Sequence, residues 1–308
     1  YSKISPQPEH YTKEAITKEL HPLVKEWFFK QFADYSPPQY YSILNIHNRL
    51  NTLICSPTGS GKTLSAFLAI LNDLVIRSDA ETIEDRVYAM YISPLKALGN
   101  DINRNLLEPL AALDELSEKK RGKKLGIRVG VRSGDTTASQ KAAMLRKPPH
   151  ILITTPESLG IMLTTTKFSG HLRQVHWTIV DEIHALAENK RGVHLSLTLE
   201  RLERTSPGFC RVALSATVSP LEEIAKFLAG QEEPGKWREC RIVDVNNIKQ
   251  LDLQVISPVK SLIREDYDKI ADKTYDIIDR LGQQHKTTLI VTNTRSANEK
   301  GVHHLRTR

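Results

Sequence analysis

Apolar residues along this chain gather in short runs rich in Val and Ile: TLIC (52–55), VYAMYIS (87–93), IRVGV (127–131), ILIT (151–154), WTIV (177–180) and RVAL (211–214). Helical patterns lie between them, and this alternation predicts an α/β fold, a parallel sheet with helices on both faces. After the first run, Leu64, Phe67, Leu68, Leu71, Leu74 and Val75 follow the i, i+3, i+4, i+7 spacing of a helix with one buried stripe. Ser219-Pro220-Leu221-Glu222 reads as a capping box with proline at the first helical position, and Gly230 follows Phe227 and Leu228 as the stop of that helix. One segment fits two periods. Val193, Leu195, Leu197 and Leu199 alternate as in a strand, whereas Leu195, Leu199 and Leu202 fit a helix, and helix is the expectation taken forward.

Residues 230–240 (GQEEPGKWREC) read as a surface connection, and the alternating LDLQVIS (251–257) as a strand leading out of the first domain. A helical pattern at Ile270, Ile277, Ile278 and Leu281 stopped by Gly282, a strand TTLIV (287–291) and a last helical piece complete the chain. The expected division is a lead-in over 1–35, a large α/β domain over 36–250, and 251–308 as a linker and the start of a second domain too short to be a complete α/β lobe. There is no internal repeat and no low-complexity tract.

With 308 residues, 40% of them hydrophobic, the chain can bury a core without staples. Cys55, Cys210 and Cys240 are odd in number and lack C-x-x-C spacing, which argues against a disulfide framework or a zinc or iron–sulfur site; Cys55 and Cys210 read as core residues. The eleven histidines show no metal-ligand spacing either. No apolar run approaches a membrane span and no signal peptide is visible, so a cytoplasmic location is expected, with no membrane partner. The chain opens at Tyr1 without a methionine, as a piece of a longer protein would. The net charge of +7 suits a polyanionic partner. Within it, the run KKRGKK (119–124) is read as a solvated, mobile loop, and Trp27, Phe28 and Phe29 as packing residues.

Chemistry enters at CSPTGSGKT (55–63), placed between an apolar strand and a helix. Glycine permits the tight turn that points the backbone N–H groups of Gly59, Ser60 and Gly61 at phosphate oxygens, and the helix N-terminus adds its positive dipole end. Lys62 then reaches the β and γ phosphates, and the Thr63 hydroxyl ligates Mg²⁺. Ser56 stands where the G-x-x-x-x-G-K-[ST] pattern opens with glycine, and Thr58 lies inside the loop. The run WTIVDEIH (177–184) ends a strand in two carboxylates: Asp181 is placed to hold Mg²⁺ through water, and Glu182 to act as general base on the attacking water.

The D-E-x-H form, with Ser215-Ala216-Thr217 ending the next strand, resembles motifs II and III of superfamily 2 helicases. YISPLKALGNDI (91–102), DEIHALAENKRGVHLSLTLERL (181–202) and LSATVSPLEEIAKFL (214–228) look more narrowly like the Lhr, or large helicase-related, group. The resemblance runs from about residue 30 to the end. It implies a RecA-like P-loop NTPase domain followed by the truncated start of a second RecA-like domain. Gln39 then matches the glutamine that reads adenine, with Phe32 or Tyr35 as stacking neighbours. Ser93, Pro94 and Lys96 match motif Ia, and Ser133-Gly134-Asp135 and Thr155-Pro156-Glu157 match loops that grip the sugar–phosphate backbone. Thr292-Asn293-Thr294-Arg295 matches motif IV. His184 and residues 215–217 match couplers between hydrolysis and strand movement.

The activity implied is an ATP-dependent helicase or translocase moving 3′ to 5′ on single-stranded DNA, or unwinding DNA or DNA–RNA duplexes, with ATP and Mg²⁺. The alternative is a regulatory, nucleic-acid-binding fragment that binds nucleotide without turnover; a small-molecule P-loop kinase has only the cradle and the carboxylates in its favour. The family's arginine finger lies in a second lobe and matches no residue here. The 308-residue chain is therefore expected to bind ATP–Mg²⁺ weakly and to show neither unwinding nor strong stimulated turnover by itself.

Overall fold

The computed structural model describes residues 4–94, 99–216, 218–245, 253–285 and 287–306. The chain divides into two compact units, Tyr1–Lys249 and Gln250–Arg308.

Among the described residues the first unit holds ten strands: β1 (Ile4–Pro6), β2 (Thr52–Cys55), β3 (Ala89–Ile92), β4 (Val129–Arg132), β5 (Ile151–Thr154), β6 (Trp177–Val180), β7 (Cys210–Ser215), β8 (Gln231–Glu233), β9 (Lys236–Trp237) and β10 (Cys240–Asp244). Eight form one sheet in the order β1-β10-β2-β7-β6-β3-β5-β4, with every pairing parallel. β8 and β9 form a separate antiparallel pair. Strands β2, β3, β5, β6 and β7 are buried at every position, because successive side chains enter cores on opposite faces. Ile54, Tyr91, Ile153, Ile179 and Leu214 join one core, with helices Pro22–Gln31, Pro37–His47 and Lys62–Asp79; Leu53, Met90, Leu152, Val180 and Ala213 join the other, with helices Pro156–Thr164, Lys190–Thr205 and Leu221–Ala229.

The expected α/β architecture is therefore present, with local corrections. Helix Lys62–Asp79 is buried almost all round rather than along one stripe, because it lies between the sheet and the neighbouring helices. Lys190–Thr205 is helical: Leu195, Leu199 and Leu202 are buried while Val193 and Leu197 are exposed, so the 3.6-residue period governs. Gly192 lets that helix approach Ile183–Ala187, since a Cβ there would stand 2.0 Å from the Leu186 carbonyl oxygen.

The capping box at Ser219 does not form. Pro220 has an extended backbone at the N-cap and offers no side-chain acceptor, so the helix starts at Leu221; it ends at Gly230 as expected. The connection over 230–240 contains the β8–β9 pair and leads into β10, whose Cys240, Ile242 and Val243 are buried beside β2. The basic run 119–124 is the last turn of helix Glu108–Arg121 and its Gly122 cap rather than a mobile loop. Its cations pair with carboxylates: Lys120 with Glu26, Arg121 with Asp79, and Lys123 with Glu81 at 2.6 Å. Trp27 and Phe28 are buried as expected, and the three cysteines are buried thiols.

In the second unit, helix Tyr267–Gln284 runs through Gly282 instead of stopping there, and helix Arg295–Arg306 follows. Their rings meet where Tyr275 stacks on His304 at 4.5 Å. Neither strand expected here forms among the described residues: 253–257 and 287–291 have no ladder partner, and Val255 and Leu289 are 99% and 87% exposed. A strand needs a hydrogen-bonded neighbour, which apolar alternation alone does not supply. Among the described residues no helix is long and apolar enough to cross a membrane.

His150 and His176 sit at the starts of β5 and β6, edge-on to Tyr88. Burial pushes each imidazole down to about 4, with the Arg128 and Arg49 guanidinium groups adding to it respectively. Unfolded, both take up a proton near pH ~6.5. The unfolded chain thus binds more protons between these values, and stability should fall as the pH drops from about 6.5 to about 4. Denaturant titrations across that window should show a flatter loss for a His150→Gln, His176→Gln protein; an equally steep loss would contradict this assignment.

Candidate functional site

Because all eight strands of the sheet point the same way, their C-terminal ends emerge along one edge. The cradle follows β2 there, and its turn depends on Gly59 and Gly61 at φ +79° and +90°. Gly61, in the left-handed region, is the N-cap of helix Lys62–Asp79. A Cβ on it would stand 2.7 Å from Ser36 Oγ and 3.1 Å from Gln39 Nε2, so only glycine leaves the gap between the loop and this turn open. Ser56 Oγ and Ser60 Oγ share a 2.7 Å hydrogen bond across the loop. Lys62 is 6% exposed and its Nζ donates to the Ser56 carbonyl at 3.3 Å; no carboxylate pairs with it among the described residues. Thr63 is buried beside it. A cleft of about 330 Å³ opens here, bounded by Pro37 and Pro38, by the loop from Pro57 through Thr58 and Gly59 to Ser60, and by Val245.

Gln39 is buried in helix Pro37–His47, and its Oε1 accepts from the Ser36 backbone N–H at 2.8 Å. Ser36, whose side chain and backbone form a capping box with Gln39, points its Oγ at the same gap. An unneutralised ammonium and a glycine-kept space fit a nucleotide phosphate group. Of the two possible stacking neighbours, Tyr35 is committed to the core against Phe28 at 4.8 Å, while Phe32 is 42% exposed.

Strand β7 lies between β2 and β6, so the cradle and Asp181 are separated by two inter-strand spacings, roughly 10 Å. Asp181 is tied twice: Tyr91 on neighbouring β3 donates its hydroxyl to Oδ2, and the Glu182 N–H donates to Oδ1 at 2.9 Å. Burial pushes the Asp181 carboxyl above its ordinary range, since among the described residues no cation offsets its desolvation. With Thr63, this carboxylate is an oxygen donor set of the kind Mg²⁺ takes. Glu182 adopts φ +48°, ψ +43°, a left-handed backbone costing on the order of 1–3 kcal/mol in a residue with a side chain. The turn takes its carboxylate off the strand line to His184, whose Nε2 lies 3.1 Å from Oε2, while His184 Nδ1 shares a 3.2 Å hydrogen bond with Ser215 Oγ. Glu182, His184 and Ser215 thus form a chain from β6 to β7. Ala216 continues from Ser215, its carbonyl accepting from Cys55 Sγ at 3.1 Å; Thr217 lies outside the described residues.

On the other side of β6 come β3, β5 and β4, with Ile92 level with Val180 and with Thr154, and Thr154 level with Arg132. Ser93 and Pro94, Thr155-Pro156-Glu157 and Ser133-Gly134-Asp135 therefore leave adjacent strand ends at one level. Thr155 caps helix Pro156–Thr164 by accepting from the Ser158 N–H. Lys96 lies outside the described residues. Thr292 and Asn293 precede helix Arg295–Arg306 in the second unit.

Two partners escaped the sequence reading. Arg191 binds Glu157 through Nε at 2.6 Å and donates to the Pro94 carbonyl at 3.0 Å, tying two of these loops to helix Lys190–Thr205. The Glu157 carboxylate, held below its usual range by Arg191, thereby buttresses a loop. Tyr91 is the other; a hydroxyl within an otherwise apolar buried strand was the available signal.

A parallel sheet carrying a phosphate cradle and a Mg²⁺-type carboxylate pair on one edge defines a P-loop nucleotide-binding domain. Residues 36–225 match the DEAD/DEAH box helicase family, and the chain belongs to it. Within the family it is similar to the ATP-dependent helicase Lhr-Core of Methanothermobacter thermautotrophicus, with 52% identity over 305 residues that cover 99% of this chain and 35% of the relative. It is also similar to the Lhr helicase/uracil glycosylase of Escherichia coli, at 35% identity over 91% of this chain and 19% of that protein. The structure of Mycobacterium smegmatis helicase Lhr bound to ssDNA and AMP-PNP matches with a TM-score of 0.75 and 38% identity, covering 95% of this chain and 37% of that one. The chain spans about a third of the length of its Lhr-Core relatives.

Tyr91→Phe keeps the ring stacked on Phe67 but removes one donor from a half-buried carboxylate. It should destabilise the fold by about 1.5–3 kcal/mol, the scale of a hydrogen bond to a charged group. Urea unfolding should show a lower midpoint at unchanged slope; an unchanged midpoint would mean that the hydroxyl does not hold Asp181.

Proposed function

We propose that this chain is the ATP-binding lobe of an Lhr-type, ATP-dependent helicase or translocase that moves 3′ to 5′ on single-stranded DNA or unwinds DNA and DNA–RNA duplexes. The observation that carries this reading is the position of β6. Its carboxylates stand between strand ends bearing a phosphate cradle and strand ends bearing hydroxyl and amide groups suited to sequence-independent backbone contacts. The relative solved with ssDNA and AMP-PNP supports it.

In this reading residues 36–250 are a first RecA-like domain and 251–308 the start of a second, with Thr292, Asn293 and Arg295 as its strand contacts. The cradle amides and Lys62 bind the triphosphate, and Gln39 recognises the base. Thr63 and Asp181 hold Mg²⁺, which when bound offsets phosphate charge. Glu182 accepts a proton from the attacking water at its carboxylate, and His184 with Ser215, Ala216 and Thr217 links that carboxylate to strand movement. Ser93, Pro94, Lys96 and the loops at 133–135 and 155–157 grip the polynucleotide, with Glu157 acting through Arg191.

Lys62 supplies ground-state charge and Glu182 acts on the reacting water, so their substitutions should separate. With a fluorescent ATP analogue, Lys62→Ala should abolish equilibrium binding, whereas Glu182→Gln should bind as the unaltered chain does and block turnover in a chain long enough to be active. A folded Glu182→Gln protein that could not bind the analogue would refute this division of roles.

A further inference from the structure

A second cavity, of about 440 Å³, lies on the flank of edge strand β4, between helix Ala138–Arg146 and the segment from Thr165 to Phe168. The Phe168 ring, 2% exposed, carries the Arg132 guanidinium 4.2 Å from its centroid. Lys141 and Lys167 stand around it, and Thr166 adds a hydroxyl. No carboxylate lines the cavity; Asp135 belongs to the adjoining loop. Among the described residues no acceptor pairs with the guanidinium of Arg132 and no carboxylate with Lys141 or Lys167. This differs from the basic run at 119–124, where Lys120, Arg121 and Lys123 are each paired with a carboxylate.

Burial pushes the Arg132 guanidinium below its ordinary range, the sign of a half-buried cation without an anion to offset desolvation. A planar guanidinium held by an aromatic ring keeps its N–H fork in a fixed plane, the geometry that donates to two phosphate oxygens at once. Arg132 is also the last residue of β4, and Ser133, where the proposed strand-gripping loop begins, follows it directly. A backbone held at 133–135 therefore passes within one residue of this cavity.

We propose that the Arg132–Lys141–Lys167 cavity seats a phosphate group of the polynucleotide, extending the strand path past the 133–135 loop onto the flank of the sheet. This rests on the reading of that loop as a polynucleotide contact. A free phosphate or pyrophosphate offers the same chemistry, but the continuity with Ser133 favours a phosphodiester.

The test is fluorescence anisotropy of a labelled long oligonucleotide across a salt series, with the unaltered 308-residue chain and a Lys141→Gln, Lys167→Gln variant that leaves the Arg132–Phe168 packing in place. Binding of a fluorescent ATP analogue checks that the variant is folded. If each lysine neutralises one phosphate, the slope of log K against log salt should shrink by roughly 1.4 in the variant, at about 0.7 per single-strand phosphate. A short oligonucleotide that reaches only the loop should show no such change. An unaltered slope with the long strand overturns the proposal. So does calorimetric binding of pyrophosphate that the variant loses while its strand slope stays the same, which would assign the cavity to a free anion. If the unaltered chain binds no strand at all, the polynucleotide reading itself fails, and this proposal with it.

Discussion

The register of β6 between β7 and β3 is the constraint on which the rest of the first unit depends. Val180 is level with Ala213 on one side and with Ile92 on the other, so the next residue, Asp181, leaves the sheet between the end of β7 and the start of the Ser93–Pro94 loop. A strand's side chains alternate between faces, and a slip of one residue would carry Ile179 and Val180 into each other's cores and move Asp181 away from the Tyr91 hydroxyl. The two hydrophobic cores hold the chemistry in position through this register. Parallel pairing then brings the cradle, the carboxylates and the hydroxyl-bearing loops to one edge, although they lie far apart in the chain.

The edge is organised at some energetic cost. Lys62 is buried with the Ser56 carbonyl as its partner, Asp181 is desolvated, and Glu182 holds a left-handed backbone. Each would be a defect in a region concerned only with packing. Gly61 keeps open the space in front of the cradle, and under the proposed function a phosphate, a divalent cation and a reacting water would relieve Lys62, Asp181 and Glu182 respectively. Arg211, by contrast, is 1% exposed and is compensated by Glu200 at 2.9 Å and Glu203 at 3.0 Å.

The central strands were legible because burial on both faces writes itself as continuous apolar runs: ILIT and WTIV match β5 and β6 residue for residue. The margins of the sheet were not. β1 is three residues long and ends in proline, and β10 follows a polar stretch, so neither carries a run long enough to stand out. The reverse failure came at 253–257 and 287–291, where alternation suggested strands that find no ladder partner among the described residues. In the site, residues within one contiguous motif were readable, since a glycine turn and its lysine act together locally. Tyr91 with Asp181, Arg191 with Glu157, and Ser36 with Gly61 join segments whose adjacency follows from strand order and helix packing, which local pattern does not encode.

The claim at the centre of this account is that one edge of one sheet divides at β6 into a nucleotide side and a strand side. Amide hydrogen exchange tests it most directly, because protection is read segment by segment. A nonhydrolysable ATP analogue with Mg²⁺ should protect the segments following β2, β6 and β7, at 56–63, 181–184 and 215–216. A single-stranded oligonucleotide should protect those following β3, β4 and β5, at 93–94, 133–135 and 155–157. Protection by both ligands over the same loops, or at the opposite ends of the strands, would contradict it.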